Sequence, residues 1–204
     1  MTNTFFKYYK PKILLTLIII LTSLFIFAKE YWEISVSITG IIGGFLWVID
    51  KWLWKYKPFS WLFWIEDFSG RYEGFLEYEF RDENCQKKTG RLNHTKLIYQ
   101  IASVIKISAF TFQQDGKASS PSESIEVAVK KDDNGVFTLI YTYENKGNPQ
   151  LGFPPHYGTE VVKIIGKGEG KQLSGDYYTN RVPIQTRGRF VDLKYINDDL
   201  SHPF

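Results

Sequence analysis

Residues 173–195 read LSGDYYTNRVPIQTRGRFVDLKY, two strand-like runs hinged on Val182, Pro183 and Ile184. Side chains on one face of a strand recur with a period of two, so parity assigns them to sides. In the first run Leu173, Gly175, Tyr177, Thr179 and Arg181 share a face. In the second, Val191, Leu193 and Tyr195 share one, and Asp192 and Lys194 take the other. The apolar face is read as the interior, and counting back along it reaches Arg189 and Arg187. An inward row that begins apolar, passes through tyrosine and threonine and ends in arginine describes a pocket with a cationic mouth. The planar fork of arginine matches phosphate, and tyrosine adds a stacking face and a hydroxyl. The stretch therefore predicts a cavity for a small phosphate-bearing ligand. The competing view makes the tyrosines filling and leaves the arginines solvated or paired with Asp176 and Asp192.

The sequence before this pair repeats the pattern. Strands are expected near 70–80, 92–101, 104–112, 123–131, 136–144, 159–166, 173–179 and 187–195. Turn chemistry separates several of them, as in Asp132-Asp133-Asn134-Gly135 and in the glycines of 166–170. Tyr72, Gly74, Leu76 and Tyr78 fall on one face of the first strand. Phe137, Leu139, Tyr141 and Tyr143 do so in the fifth, and Ile125, Val127 and Val129 in the fourth. No helical periodicity of useful length interrupts residues 70–195. Eight short antiparallel strands with one polar face predict an up-and-down β-barrel, whose interior holds one small ligand. A two-sheet sandwich is the alternative. Outward positions are charged, which excludes a membrane barrel. The candidate ligand-binding set is Tyr72, Tyr78, Tyr141, His156, Tyr177, Thr179, Arg181, Arg187 and Arg189.

The first 57 residues have a different character. Uncharged apolar runs at 13–28 and 34–49 reach spanning length with their amphipathic flanks, predicting transmembrane helices at about 9–28 and 34–54. Both faces of both runs are apolar, which argues against a buried soluble hairpin. A second apolar run so close behind the first, with no small-residue cleavage site between them, argues against a signal peptide. Lys7, Lys10 and Lys12 precede the first run and Lys51, Lys55 and Lys57 follow the second, whereas the tight linker 29–33 holds one lysine and two glutamates. By the positive-inside rule both termini are cytoplasmic. Five tryptophans between Trp47 and Trp64 sit where an interfacial belt belongs. Gly40 and Gly44 form a GxxxG spacing, which serves either association between copies or packing within one hairpin. Residues 58–67 join this hairpin to the barrel domain at 68–204.

Several function classes are excluded or weakened. The formal charge of the 204-residue chain is only +3. Seven lysines against five carboxylates give +2 over residues 1–67, leaving +1 for residues 68–204. Such a domain has no field suited to polymeric nucleic acid. Cys85 is the only cysteine, so no intrachain disulfide forms. His156, in the rigid Phe153-Pro-Pro-His-Tyr-Gly158 loop, has no second ligand at metal spacing. Ser119 to Ser122 offers hydroxyls to a phosphate but reads first as a loop, and the glycines at 166–170 lack the following helix that a phosphate loop needs. Asn93-His94-Thr95 fits the glycosylation pattern, which a cytoplasmic position voids. No nucleophile elbow, HExxH or Cys–His signature is present, so no enzyme and no cofactor are expected.

Four segments carry a resemblance: 68–74 (FSGRYEG), 156–159 (HYGT), 173–181 (LSGDYYTNR) and 186–188 (TRG). With the two apolar runs before them, they resemble the two-transmembrane β-barrel effectors of bacterial CBASS, the cyclic-oligonucleotide-based antiphage signalling systems. The resemblance implies a barrel that binds a cyclic dinucleotide made by a partner nucleotidyltransferase. It further implies homo-oligomerisation on binding, disruption of the inner membrane by the clustered helices, and death of the infected cell. The alternative from another class is a membrane-tethered carrier of a lipid or other apolar carboxylate.

Overall fold

The computed structural model describes residues 5–32, 37–182 and 184–203. The chain divides into two units, Met1–Asp67 with Gln100–Ile105, and Phe68–Tyr99 with Lys106–Phe204.

In the first unit, helix α1 spans Pro11–Trp32, and its portion Pro11–Lys29 is long and apolar enough to cross a membrane. Its large side chains stand exposed, Leu15, Ile19, Leu24 and Phe27 among them. The second apolar run also forms a helix, but a shorter one. α2 spans Ile38–Val48 and continues as a π-helical turn over Ile49–Leu53. One helix of spanning length is thus present among the described residues, where the sequence suggested two. Residues 29–32, expected in the linker, are helical; residues 33–36, and with them the expected reversal, lie outside the described residues. A methyl group built on Gly43 or Gly44 meets nothing within 4 Å, and on Gly40 it meets only the Ser37 side chain. These glycines therefore do not pack α2 against another described helix. An aromatic cluster closes the unit: Tyr9 lies 4.4 Å from Phe63 and Tyr8 lies 5.6 Å from Trp64, ring centre to ring centre. The buried carboxylate of Asp50 accepts the Ser103 hydroxyl at 3.0 Å.

The second unit is a closed eight-stranded antiparallel barrel in which each strand neighbours the next and β8 returns to β1. Its strands are β1 Gly70–Arg81, β2 Lys87–Gln100, β3 Ile105–Phe112, β4 Ala118–Lys131, β5 Phe137–Asn145, β6 His156–Ile165, β7 Gln172–Thr179 and β8 Thr186–Asn197. Alternation drives this architecture: inward rows are mainly apolar or aromatic and outward rows mainly polar or charged. Closure pairs every edge. The end of the barrel at which β1 begins is filled by Phe68, Tyr72, Ile98, Leu139, Val162, Leu173 and Leu193, all 1% exposed or less.

Register shifts break simple parity at several points, and two of them re-aim residues that the sequence placed. Leu173 faces Leu193 while Gly175 faces Phe190, so β8 holds one residue more than β7 over this span. β1 shows the same offset: Glu73 faces Lys194 and Phe75 faces Val191. The extra residue is a β-bulge at Asp192, whose φ of 52° is left-handed. Gly74 is required opposite it, because a Cβ there would lie 2.4 Å from the Asp192 carbonyl oxygen. The bulge corrects the reading of β8. Leu193 points inward as expected, but before the bulge the inward residues are Phe190, Gly188 and Thr186. Arg187, Arg189 and Val191 therefore stand on the other parity. A second bulge, between Ser124 and Glu126, turns Ile125 outward to 44% exposure while Val127 stays buried.

Candidate functional site

The filling stops part-way along the barrel, at a layer of buried polar groups. Lys96 on β2 and Glu160 on β6 both point inward, and the ammonium lies 2.6 Å from Glu160 Oε2. The Lys96 ammonium also donates to the Tyr141 hydroxyl at 2.8 Å, and that hydroxyl donates to the same carboxylate oxygen. Burial pushes Lys96 down, and the Glu160 carboxylate opposes that. Burial, with Glu160 adding to it, pushes the Tyr141 phenol well up, so the phenol stays protonated and donates.

Beyond this layer the barrel holds a cavity of about 540 Å³, within the usual range of small-ligand sites, about 300–1,000 Å³. Its deep wall carries Glu160, His94, Phe190, Tyr143 and Tyr177. The side wall carries Thr111, Ser119, Ser120, Ser122 and Asn145. Arg181, His156, Phe153, Thr179 and Thr186 line it from the ends of β6, β7 and β8. Arg181 lies over the Phe153 ring, 4.5 Å from its centre, so the guanidinium is held by a cation–π contact. Burial, with Arg181 adding to it, lowers His156, which therefore presents a neutral ring. Burial also raises the Tyr177 and Tyr143 phenols, leaving both as hydroxyl donors.

The expected site residues fall into three groups. Tyr78, His156, Tyr177, Thr179 and Arg181 line the cavity. Tyr141 lies in the polar layer that floors it, and Tyr72 is buried in the filled end, where its hydroxyl donates to the Phe68 carbonyl at 2.8 Å. Neither lines the cavity. Arg187 and Arg189 are on the outer surface, placed there by the Asp192 bulge, and pair not with Asp176 or Asp192 but with β1. Arg187 Nε lies 2.5 Å from Glu79 Oε1, and Arg189 Nη2 lies 2.8 Å from Glu77 Oε2. Lys87, then Arg187, hold the Glu79 carboxyl below its ordinary value. An outer groove of about 810 Å³ runs over these pairs. It lies on the solvated face, where Lys87, Arg187 and Arg189 are already paired with Glu79 and Glu77, so the interior cavity is the better site.

Sequence reading missed His94, Lys96, Glu160 and the serines. Ser119 to Ser122 belong to β4 rather than to a loop, and three of them reach the cavity. The signal for the polar layer was legible: Lys96 and Glu160 are opposite charges on rows that also carry the buried apolar residues Ile98, Val162 and Ile164.

Residues 64–192 match the family model described as Cap15, cyclic dinucleotide receptor domain. The chain belongs to this family. Every residue lining the cavity falls inside the matched span, which ends at the bulge residue Asp192. The barrel is thus a Cap15-type receptor domain, of the class found in CBASS effectors. No curated protein matches the chain.

Proposed function

We propose that the chain is a CBASS effector whose half-filled barrel captures a cyclic dinucleotide and whose apolar helices act on the membrane in response. One observation carries this reading: the cavity combines a cationic, aromatic end at Arg181, His156 and Phe153 with hydroxyl and amide groups along its wall. A cyclic dinucleotide requires both kinds of partner, phosphate-matching and base-matching. An acyl chain requires neither, and the two unpartnered ring nitrogens of His94 would face its methylenes. That chemistry favours the nucleotide over a lipid carrier. In this reading the chain is a receptor and not an enzyme, in keeping with the receptor-domain family it matches.

In this account both apolar runs enter the inner membrane, with both termini cytoplasmic, and a partner nucleotidyltransferase supplies the ligand. Ligand binding drives homo-oligomerisation, which requires that the assembled form bind more tightly than the monomer. The gathered helices then breach the bilayer and kill the cell. The open glycine face at Gly40 and Gly44 supports helix–helix association between copies. The test is dye release from phospholipid vesicles containing the full-length chain. Release that starts on adding a cyclic dinucleotide, together with a rise in oligomer size, is the expected result. Binding with no change in size or leakage would remove the effector step.

A further inference from the structure

Resting on that receptor reading, we infer that His94 and Glu160 form a base-reading floor, so that the ligand enters base first and keeps its phosphates at the Arg181 end. His94 on β2 is 5% exposed and lines the cavity, yet neither ring nitrogen has a hydrogen-bond partner among the described residues. A buried donor and acceptor left unmade is disfavoured, and native folds retain such groups chiefly where function uses them. The ring is fixed against Phe190, 5.2 Å between centres. Burial, reinforced by the charge of Lys96, keeps the imidazole well below its ordinary pKa and therefore neutral. A neutral imidazole offers one N–H donor and one nitrogen acceptor.

Glu160 adds an acceptor. The hydrogen bonds it receives from Lys96 and Tyr141 both end on Oε2, and its carboxylate lines the cavity. An acceptor-only carboxylate and a neutral imidazole lining one cavity are together complementary to the Watson–Crick edge of a nucleobase, where N–H groups adjoin a carbonyl or ring nitrogen. At the deep end the Glu160 charge is offset by Lys96, so no free cation waits there for a phosphate, while Arg181 supplies one at the other end. The charge distribution of the cavity thus sets the direction in which the ligand lies.

The test uses the full-length chain in detergent micelles, titrated by calorimetry with 3′,3′-linked cyclic dinucleotides of all base combinations. His94→Phe keeps the ring stack and removes both nitrogens. It is expected to lose tenfold or more in affinity for the tightest binder while melting no lower than the parent. His94→Asn, which restores a donor and an acceptor, is expected to recover part of the loss. A ligand-side arm needs no variant. Methylating the base edge of that ligand (N3 of uracil or cytosine, N1 of guanine, N6 twice in adenine) is expected to weaken binding to the unaltered protein by a similar factor. Equal affinity of His94→Phe, or equal affinity of the methylated ligand, overturns the base-reading floor and leaves the receptor reading standing. If no cyclic dinucleotide binds the unaltered protein, the receptor reading fails and takes this inference with it.

Discussion

The ammonium of Lys96 and the carboxylate of Glu160 meet at 2.6 Å across the barrel interior, with their side chains only 1% and 5% exposed. The pair separates the filled half of the barrel from the cavity, so it shapes the site and burdens the fold at once. Removing one partner strands the other charge in a dry interior. Lys96→Met alone should therefore destabilise the protein by about 3–5 kcal/mol. The double variant Lys96→Met/Glu160→Met should regain most of that loss, because a buried pair is often replaceable by apolar groups of similar volume. Chemical denaturation of the three proteins checks both statements.

Arginine position gives a second prediction. Arg181 lines the cavity, whereas Arg187 and Arg189 lie outside on Glu79 and Glu77. Arg181→Ala should weaken cyclic dinucleotide binding by about 1.5–3 kcal/mol, the scale of a hydrogen bond to a charged group. Arg187→Ala and Arg189→Ala should each leave affinity within about twofold, and as exposed pairs they should leave stability close to the parent's. Titration of the three variants with one ligand decides it.

That contrast shows what the sequence made legible. β7 obeys parity throughout, so Tyr177 and Thr179 face the cavity as the period of two predicts, and Arg181, just past the strand end, lines it too. β8 begins from the right apolar residue, Leu193, but one inserted residue at Asp192 reverses every side chain before it. Nothing in a local string marks that insertion, since Asp at a left-handed φ is unremarkable as a residue type. The nearest signal is across the sheet, in Gly74, whose missing Cβ makes room for the bulge. The eight strands were legible because each carries its own alternation, and the closed ring follows from pairing them all. Tyr72 and Tyr141 share the inward parity of the site residues. Depth along the barrel, which parity does not encode, puts the first in the filled end and the second under the floor.

His94 gives a pH prediction. Its folded pKa lies below the ordinary imidazole value of about 6.5, so below that pH the unfolded chain binds a proton that the folded chain refuses. Stability present above pH 6.5 is therefore lost as the pH falls, by up to about 1.4 kcal/mol per pH unit for this group. His156, also lowered, adds in the same direction. Thermal melts of the parent and of His94→Phe should converge at pH 8 in their pH slope and diverge between pH 6.5 and 5, with the parent losing more.

The membrane step has its own check. Gly40→Leu/Gly44→Leu fills an open helix face and leaves the barrel sequence unaltered. Ligand affinity should be unchanged, while ligand-triggered dye release from vesicles should fall several-fold. Undiminished release would remove the glycines from the mechanism.

The central claim is that the half-filled barrel receives a nucleotide, and equilibrium binding tests it most directly. Full-length protein in micelles is titrated with the cyclic dinucleotide panel and, in parallel, with a long-chain fatty acid. Saturable binding of at least one cyclic dinucleotide, weakened by Arg181→Ala and absent for the fatty acid, is the predicted result. Binding of the fatty acid with no response to any cyclic dinucleotide would contradict it.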